Sequence, residues 1–171
     1  MGRIFLIGFM CSGKSTVGRV LAPMLGLPFV DLDRMVEERV GPLLPFVQHK
    51  GEIAFRQKEN EVLGQLLASP DAVIATGGGT PCDGDNLARM KQAGRVVWLD
   101  VPLDMLMPRI IRTGGDRPLL FGLKDNALQE RVKELLEART PIYAQADLIV
   151  QAGAPPLEVA RLLERALAHV R

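Results

Sequence analysis

Cysteine is nearly missing from this chain. Its 171 residues carry two, Cys11 and Cys82. That is too few for a disulfide framework and fits a reducing compartment, so a cytoplasmic protein is expected. Charge of one sign is also missing: the formal net charge is +1, with no Lys/Arg block. A nucleic-acid or membrane-surface binder is therefore not expected. No apolar run approaches membrane-spanning length. The stretch Met1 to Met10 is apolar but short, lacks a small-residue cleavage site and runs on into Lys14, so no leader is read there. Gly2 follows Met1, but Leu6 breaks the myristoylation pattern. Internal repeats, low-complexity tracts and linkers are absent as well. What remains is a chain of one domain's length, 1–171, with 47% hydrophobic residues. A domain of this size buries roughly 70% of its unfolded surface.

Apolar runs alternate with helical patterns. Arg3 to Gly8, Pro28 to Val30, Ala72 to Thr76, Arg95 to Leu99 and Ala146 to Val150 read as strands. Helices are expected over Lys14 to Leu25, Asp33 to Val40, two stretches flanking Gly51 (the second from Glu52 to about Ala68), Asp85 to Ala93, Leu103 to Arg112, Ala127 to Arg139 and Pro156 to Val170. Gly94 reads as a break between helix and strand, and Thr113 to Asp125 as a long loop. Apolar strands without clean alternation, each followed by a helix, imply an α/β fold with a parallel sheet covered on both faces. Ligands of such sheets sit at the carboxyl ends of the strands. Chemistry is expected at Gly8 to Ser15, Asp31 to Asp33, Gly77 to Gly79 and beyond Leu99.

The first of these segments is GFMCSGKST, Gly8 to Thr16. Gly8-x-x-x-x-Gly13-Lys14-Ser15 is a P-loop pattern in its proper context, after a strand and opening a helix. Glycines let the backbone turn successive N–H groups inward, and the helix start adds a positive dipole. Lys14 supplies a point charge for the outer phosphates, and Ser15 a hydroxyl for Mg²⁺. A P-loop announces a nucleotide, not a reaction. A small-molecule kinase, a GTPase switch and an ATP-dependent assembly protein all carry one. A guanine reader of the Asn-Lys-x-Asp type is missing; Leu123-Lys124-Asp125 is the nearest approach to it.

Asp31-Leu32-Asp33 is open to two readings. If the segment stays extended, alternation puts both carboxylates on one face, one for Mg²⁺ and one for a substrate hydroxyl. Alternatively, Asp33 caps a helix and Asp31 is solvated. Glu52, Arg56 and Glu59 share a helix face, either as a clamp for an anion or as a surface ion-pair ladder. Gly77-Gly78-Gly79 permits close approach or merely a tight turn. Arg112 to Leu120 holds arginines beside Gly114-Gly115, a hinge candidate, and reads either as a kinase lid or as an ordinary basic surface loop. Arg139 ends a helix with Thr140, Pro141 and Tyr143 behind it.

Together the P-loop, Asp31-Leu32-Asp33, Glu52 to Glu59 with its Phe55-Arg56 pair, Gly77-Gly78-Gly79, Arg117-Pro118-Leu119-Leu120 and Arg139-x-x-x-Tyr143 resemble the shikimate kinase family over essentially the whole chain. The resemblance implies a three-layer P-loop kinase fold of the nucleoside-monophosphate-kinase type, with a central five-stranded parallel sheet and helices on both faces. It implies transfer of the ATP γ-phosphoryl group to the 3-hydroxyl of shikimate, on the route to aromatic amino acids. The implied catalytic residues are Lys14, Asp33 and Arg117. The nucleotide would be held by Gly8, Cys11, Ser12, Gly13, Lys14, Ser15 and Thr16 and by the lid arginine Arg117, with Arg112 and the Gly153 to Pro156 loop, Pro155 in particular, flanking the adenine. Asp33, Arg56, Gly77, Gly78, Gly79 and Arg139 would line the acceptor pocket, and Ser15 with Asp31 would hold Mg²⁺. The acceptor region would span about 33–60 and the lid about 113–125, in a monomer whose partner is a small molecule. The residue chemistry agrees, since two arginines and an aspartate complement a carboxylate and neighbouring hydroxyls. Gluconate resembles shikimate in charge, which makes a gluconate-type kinase the alternative.

Two departures from the family pattern stand out. Cys11 occupies a P-loop position that is usually glycine, where a side chain resists positive φ. Pro42 and Pro45 precede Gly51, so the helix there is expected to start late.

Overall fold

β1 (Arg3–Ile7) is the centre of the sheet. Ile4, Phe5, Leu6 and Ile7 are all buried, so both faces of the strand are covered. The unbroken apolar run is what such a position requires. β2 (Phe29–Asp31), β3 (Val73–Ala75), β4 (Gly94–Asp100) and β5 (Leu148–Gln151) complete one five-stranded sheet of order β2-β3-β1-β4-β5, parallel throughout. Phe5 lies between Ile74 and Val96 in register. The computed structural model describes residues 2–113 and 117–169.

Eight α-helices cover the sheet among the described residues: α1 (Lys14–Met24), α2 (Leu32–Val40), α3 (Leu43–Lys50), α4 (Glu52–Ala68), α5 (Asn86–Ala93), α6 (Leu103–Thr113), α7 (Asp125–Tyr143) and α8 (Pro156–Ala168). α1 packs on α8, α4 gathers α2, α3 and α5, and α6 packs on α7. Leu6, Leu21, Ile74, Val97, Leu99 and Leu163 are among the wholly buried side chains of the core. Each contributes about 1.5–3 kcal/mol by leaving water. None of the helices among the described residues is long and apolar enough to cross a membrane.

Three local differences from the sequence reading have physical causes. Gly94 is not a break but the first residue of β4, because its Cα lies against the Arg3 carbonyl and leaves no room for a Cβ. α7 continues past Arg139 to Tyr143 with Pro141 inside it. α3 does form between Gly41 and Gly51, both at positive φ. Pro42 is its N-cap and Pro45 sits in its first turn, where no intrahelical N–H is needed.

Candidate active site

The loop between β1 and α1 wraps around its own lysine. Lys14 is buried, and its Nζ donates to the carbonyls of Gly8 (2.8 Å) and Phe9 (2.9 Å). Burial pulls its pKa down to about 8, and Arg117 and Arg139 act in the same direction while Asp33 opposes them. Gly8 carries a positive φ, and a Cβ there would stand 2.8 Å from the Leu99 carbonyl and 2.9 Å from the Ser12 hydroxyl. Gly13, at φ 94°, is the N-cap of α1. Cys11 adopts φ 62°, the left-handed region that the family's usual glycine would enter freely. The conformation is kept despite the side chain, at about 1–2 kcal/mol of strain. Ser12 turns inward: its N–H goes to the Phe9 carbonyl, and its hydroxyl is buried without a partner among the described residues. Cys11 to Thr16 line a cleft of about 810 Å³ that continues along Arg19, Asp31, Asp33, Arg109, Arg112 and Arg117.

The acidic pair is arranged differently from either reading of the sequence. Helix α2 begins at Leu32, so Asp31 and Asp33 do not share one face of an extended segment. Asp31 is the cap: its Oδ1 accepts the Arg34 N–H (3.3 Å), while Oδ2 accepts the Ser15 hydroxyl (2.6 Å). Asp33, in the first helical turn, is thereby free of capping duty and faces the cleft. Its carboxyl pKa is pushed up to about 6, first by burial and then by the Glu59 charge, with Lys14 pulling the other way.

A second cavity, of about 590 Å³, opens beside the first, and Met10, Asp33, Glu37, Gly78 and Arg117 belong to both. Its floor is the triple glycine after β3, and each glycine has a charged side chain lying over it. A Cβ on Gly77 would meet Asp33 Oδ1 at 2.7 Å and Glu59 Oε2 at 2.9 Å. One on Gly78 would meet Arg139 Nη1 at 3.1 Å, and one on Gly79 would run into the Arg56 guanidinium. The glycines are therefore there for close approach rather than for a turn. Arg56 donates to Glu59 Oε1 (2.7 Å), lies 3.7 Å from Glu52 and stacks over the Phe55 ring at 5.1 Å. Arg139 is buried, with its guanidinium over the Phe9 ring at 5.6 Å. One turn on, Tyr143 donates its hydroxyl to the Gly78 carbonyl (2.5 Å). Leu43, Leu44, Val47 and Pro118 supply an apolar wall.

Arg117 stands where the two cavities meet. Its Nη2 donates to Cys11 Sγ (3.1 Å), and Arg109 Nη1 donates to the Cys11 carbonyl (3.1 Å). Of the expected lid, residues 114–116, including the Gly114-Gly115 pair, lie outside the described residues. The remainder is not a plain loop, since Pro118–Leu120 form a 3-10 turn and Leu120 is buried. Arg112, Ala152, Ala154 and Pro156 also line the P-loop cleft, whereas Pro155 is the N-cap of α8. Arg109 and Tyr143 were not singled out as site residues from the sequence. Arg109 is a lone arginine on a helix and carries no motif. Glu59 has two readings in the sequence, anion clamp or surface ladder, and its burial rules out the ladder.

Comparison with known proteins points the same way. The family model described as shikimate kinase matches residues 10–168. The shikimate kinase of Persephonella marina is 42% identical over 161 residues, 93% of this chain and 94% of its own length. The structure of shikimate kinase from Acinetobacter baumannii in complex with shikimate aligns with a TM-score of 0.90 at 33% identity, covering 99% of this chain and 95% of that one. A gluconokinase from Sinorhizobium meliloti aligns with a TM-score of 0.68 at 21% identity, over 99% of this chain and 93% of its own, which speaks for a shared fold alone.

Proposed function

The chain belongs to the shikimate kinase family, and from that premise we propose that it transfers the γ-phosphoryl group of ATP to the 3-hydroxyl of shikimate. The observation that carries the proposal is the convergence of Asp33, Arg56 and Arg139 on one cavity that opens into the P-loop cleft. Two cations and one carboxylate match a ring that bears a carboxylate and adjacent hydroxyls. The apolar wall from Leu43 to Val47 suits the carbon face of that ring.

Phosphoryl transfer is mainly positioning and charge stabilisation. The P-loop amides and Lys14 hold the outer phosphates. Asp33 accepts a hydrogen bond from the acceptor hydroxyl and takes its proton as the oxygen attacks the γ-phosphorus and ADP leaves. A carboxyl held at about 6 is ionised at neutral pH yet more basic than an ordinary aspartate. Arg117, at the junction, neutralises charge that builds on the migrating group. Arg112 and the 153–156 loop flank the adenine.

Ser15 and Asp31 would hold Mg²⁺. Two oxygen donors already in contact are a suitable pair for a hard cation. That matches an ion held by one or two protein oxygens and otherwise by phosphates and water. When bound, the ion neutralises phosphate charge. We read the chain as a single domain acting as a cytoplasmic monomer on small molecules, with no nucleic-acid or membrane partner.

A coupled ADP-release assay across shikimate, quinate, gluconate and nucleoside monophosphates tests the reading. Shikimate should exceed every other acceptor in kcat/KM by roughly a hundredfold or more. Gluconate turning over as well as shikimate would move the chain to the alternative acceptor.

A further inference from the structure

Glu59 is almost wholly buried, and its two oxygens do different things. Oε1 accepts from Arg56 Nη1 (2.7 Å), and Oε2 accepts from the Thr80 hydroxyl (2.9 Å). Oε2 also shares the space above Gly77 with Asp33 Oδ1, so two carboxylates lean towards one glycine. Like charges in such a place repel, and a buried carboxylate oxygen without a donor is strongly disfavoured. Among the described residues the Thr80 hydroxyl is the donor that Oε2 has. Thr80 is fully buried and is itself held at both ends: its N–H goes to the Gly77 carbonyl (3.3 Å), and its own carbonyl accepts Asn86 Nδ2 (3.0 Å). Asn86 in turn bonds Asn60 Oδ1 (2.6 Å) and accepts from Arg89 (3.1 Å). The hydroxyl is thus fixed in space by α5 and by the loop after β3.

We propose that Thr80 is a positioning residue of the acceptor cavity: by donating to Glu59 Oε2 it sets the rotation of that carboxylate, so that Oε1 holds the Arg56 guanidinium aimed at the acceptor's carboxylate. Thr80 touches neither nucleotide nor acceptor, since it lines neither cavity. The inference rests on the acceptor-cavity reading above. Its chemistry is specific, because a carboxylate can only accept and so needs a donor at this spot. A methyl of the same shape would fill the space but leave Oε2 bare.

Steady-state kinetics on Thr80→Val and Thr80→Ser test this, with Arg56→Ala as the reference. Thr80→Val should raise the shikimate KM roughly tenfold, the size expected from one lost hydrogen bond to a charged group. The ATP KM should stay within about twofold, and Thr80→Ser should behave like the unmodified protein within about twofold. Equal shikimate KM for Val, Ser and the unmodified protein would overturn the proposal, as would parallel rises for shikimate and ATP. If Thr80→Val does not fold, Thr80→Ala carries the same comparison: a shikimate KM above that of Thr80→Ser supports the hydroxyl, and equal values refute it. Arg56→Ala separates the two readings. Were it to leave the shikimate KM unchanged, the acceptor cavity itself would be misassigned; if it raises that KM and Thr80→Val does not, only the role of Thr80 falls.

Discussion

The two cavities share Met10, Asp33, Glu37, Gly78 and Arg117, but the charged groups at their hearts are assembled in opposite ways. The P-loop cleft takes its lysine cradle from one continuous segment, Gly8 to Thr16, whose carbonyls hold Lys14, and much of the rest of its lining from α2, α6 and the 152–156 stretch. The acceptor cavity draws Asp33 from α2, Arg56 and Glu59 from α4, three glycines from the loop after β3 and Arg139 from α7. A phosphate chain can be met by a repeating backbone, because every amide offers the same donor. A small hydroxy acid needs different groups at different corners, and no short segment can present them.

That contrast can be attacked from its strongest side first. Lys14→Ala should lower kcat by roughly a thousandfold or more, since it removes the one side-chain cation seated inside the loop. Turnover surviving within about tenfold would show that the loop is not where phosphates are stabilised. Asp33→Asn comes next, at the shared wall. It should cut kcat by about 10²- to 10⁴-fold while ATP affinity changes little. In the unmodified protein a protonated Asp33 cannot take the acceptor's proton. Activity should therefore rise with pH through about 6 and fall again above about 8, where Lys14 loses its proton. A kcat/KM profile flat through about 6 would remove Asp33 as the base.

Arg139→Ala should act only on the acceptor side, weakening shikimate binding by about 2–5 kcal/mol because the arginine is buried. Calorimetry with shikimate and with an ATP analogue would separate the two; equal losses for both ligands would erase the division between the cavities. The smallest effect is expected at Cys11→Gly. Glycine relieves about 1–2 kcal/mol of left-handed strain. It forfeits about 0.5–1 kcal/mol through the freer unfolded chain. A stabilisation of about 0–1.5 kcal/mol should remain, read as a small rise in Tm with kcat retained. A clear fall in Tm would mean that the thiol's contact with Arg117 outweighs the strain at this residue.

The same division governs what could be read from residues alone. The P-loop was legible because its spacing, its strand and its helix are all local. Strand and helix positions came from apolar runs, and the parallel sheet from the lack of alternation. The order β2-β3-β1-β4-β5 did not, because nothing in β1 marks β3 and β4 as its neighbours. Three glycines could be seen, but their reason could not: Asp33, Arg139 and Arg56 arrive over them from distant helices. The sequence offers the capping role of Asp31 to Asp33 instead, since both residues are good caps and only a two-residue shift of the helix start decides between them. Arg109 carried no pattern at all, and its bond to the Cys11 carbonyl exists only in three dimensions.

The place of β1 in the sheet also has a kinetic meaning. The nucleotide loop is contiguous, yet the strand that anchors it is pinned on one side by Val73 and on the other by Arg95, both paired beside Ile4. Contacts of such long sequence separation form slowly, because loop-closure entropy is lost before they contribute. During synthesis the residues of the cradle are made well before β3 and β4 exist. The segment that is simplest to recognise is therefore held in its working shape only after two much later strands have docked, and a nascent chain stopped before β4 has no finished nucleotide site.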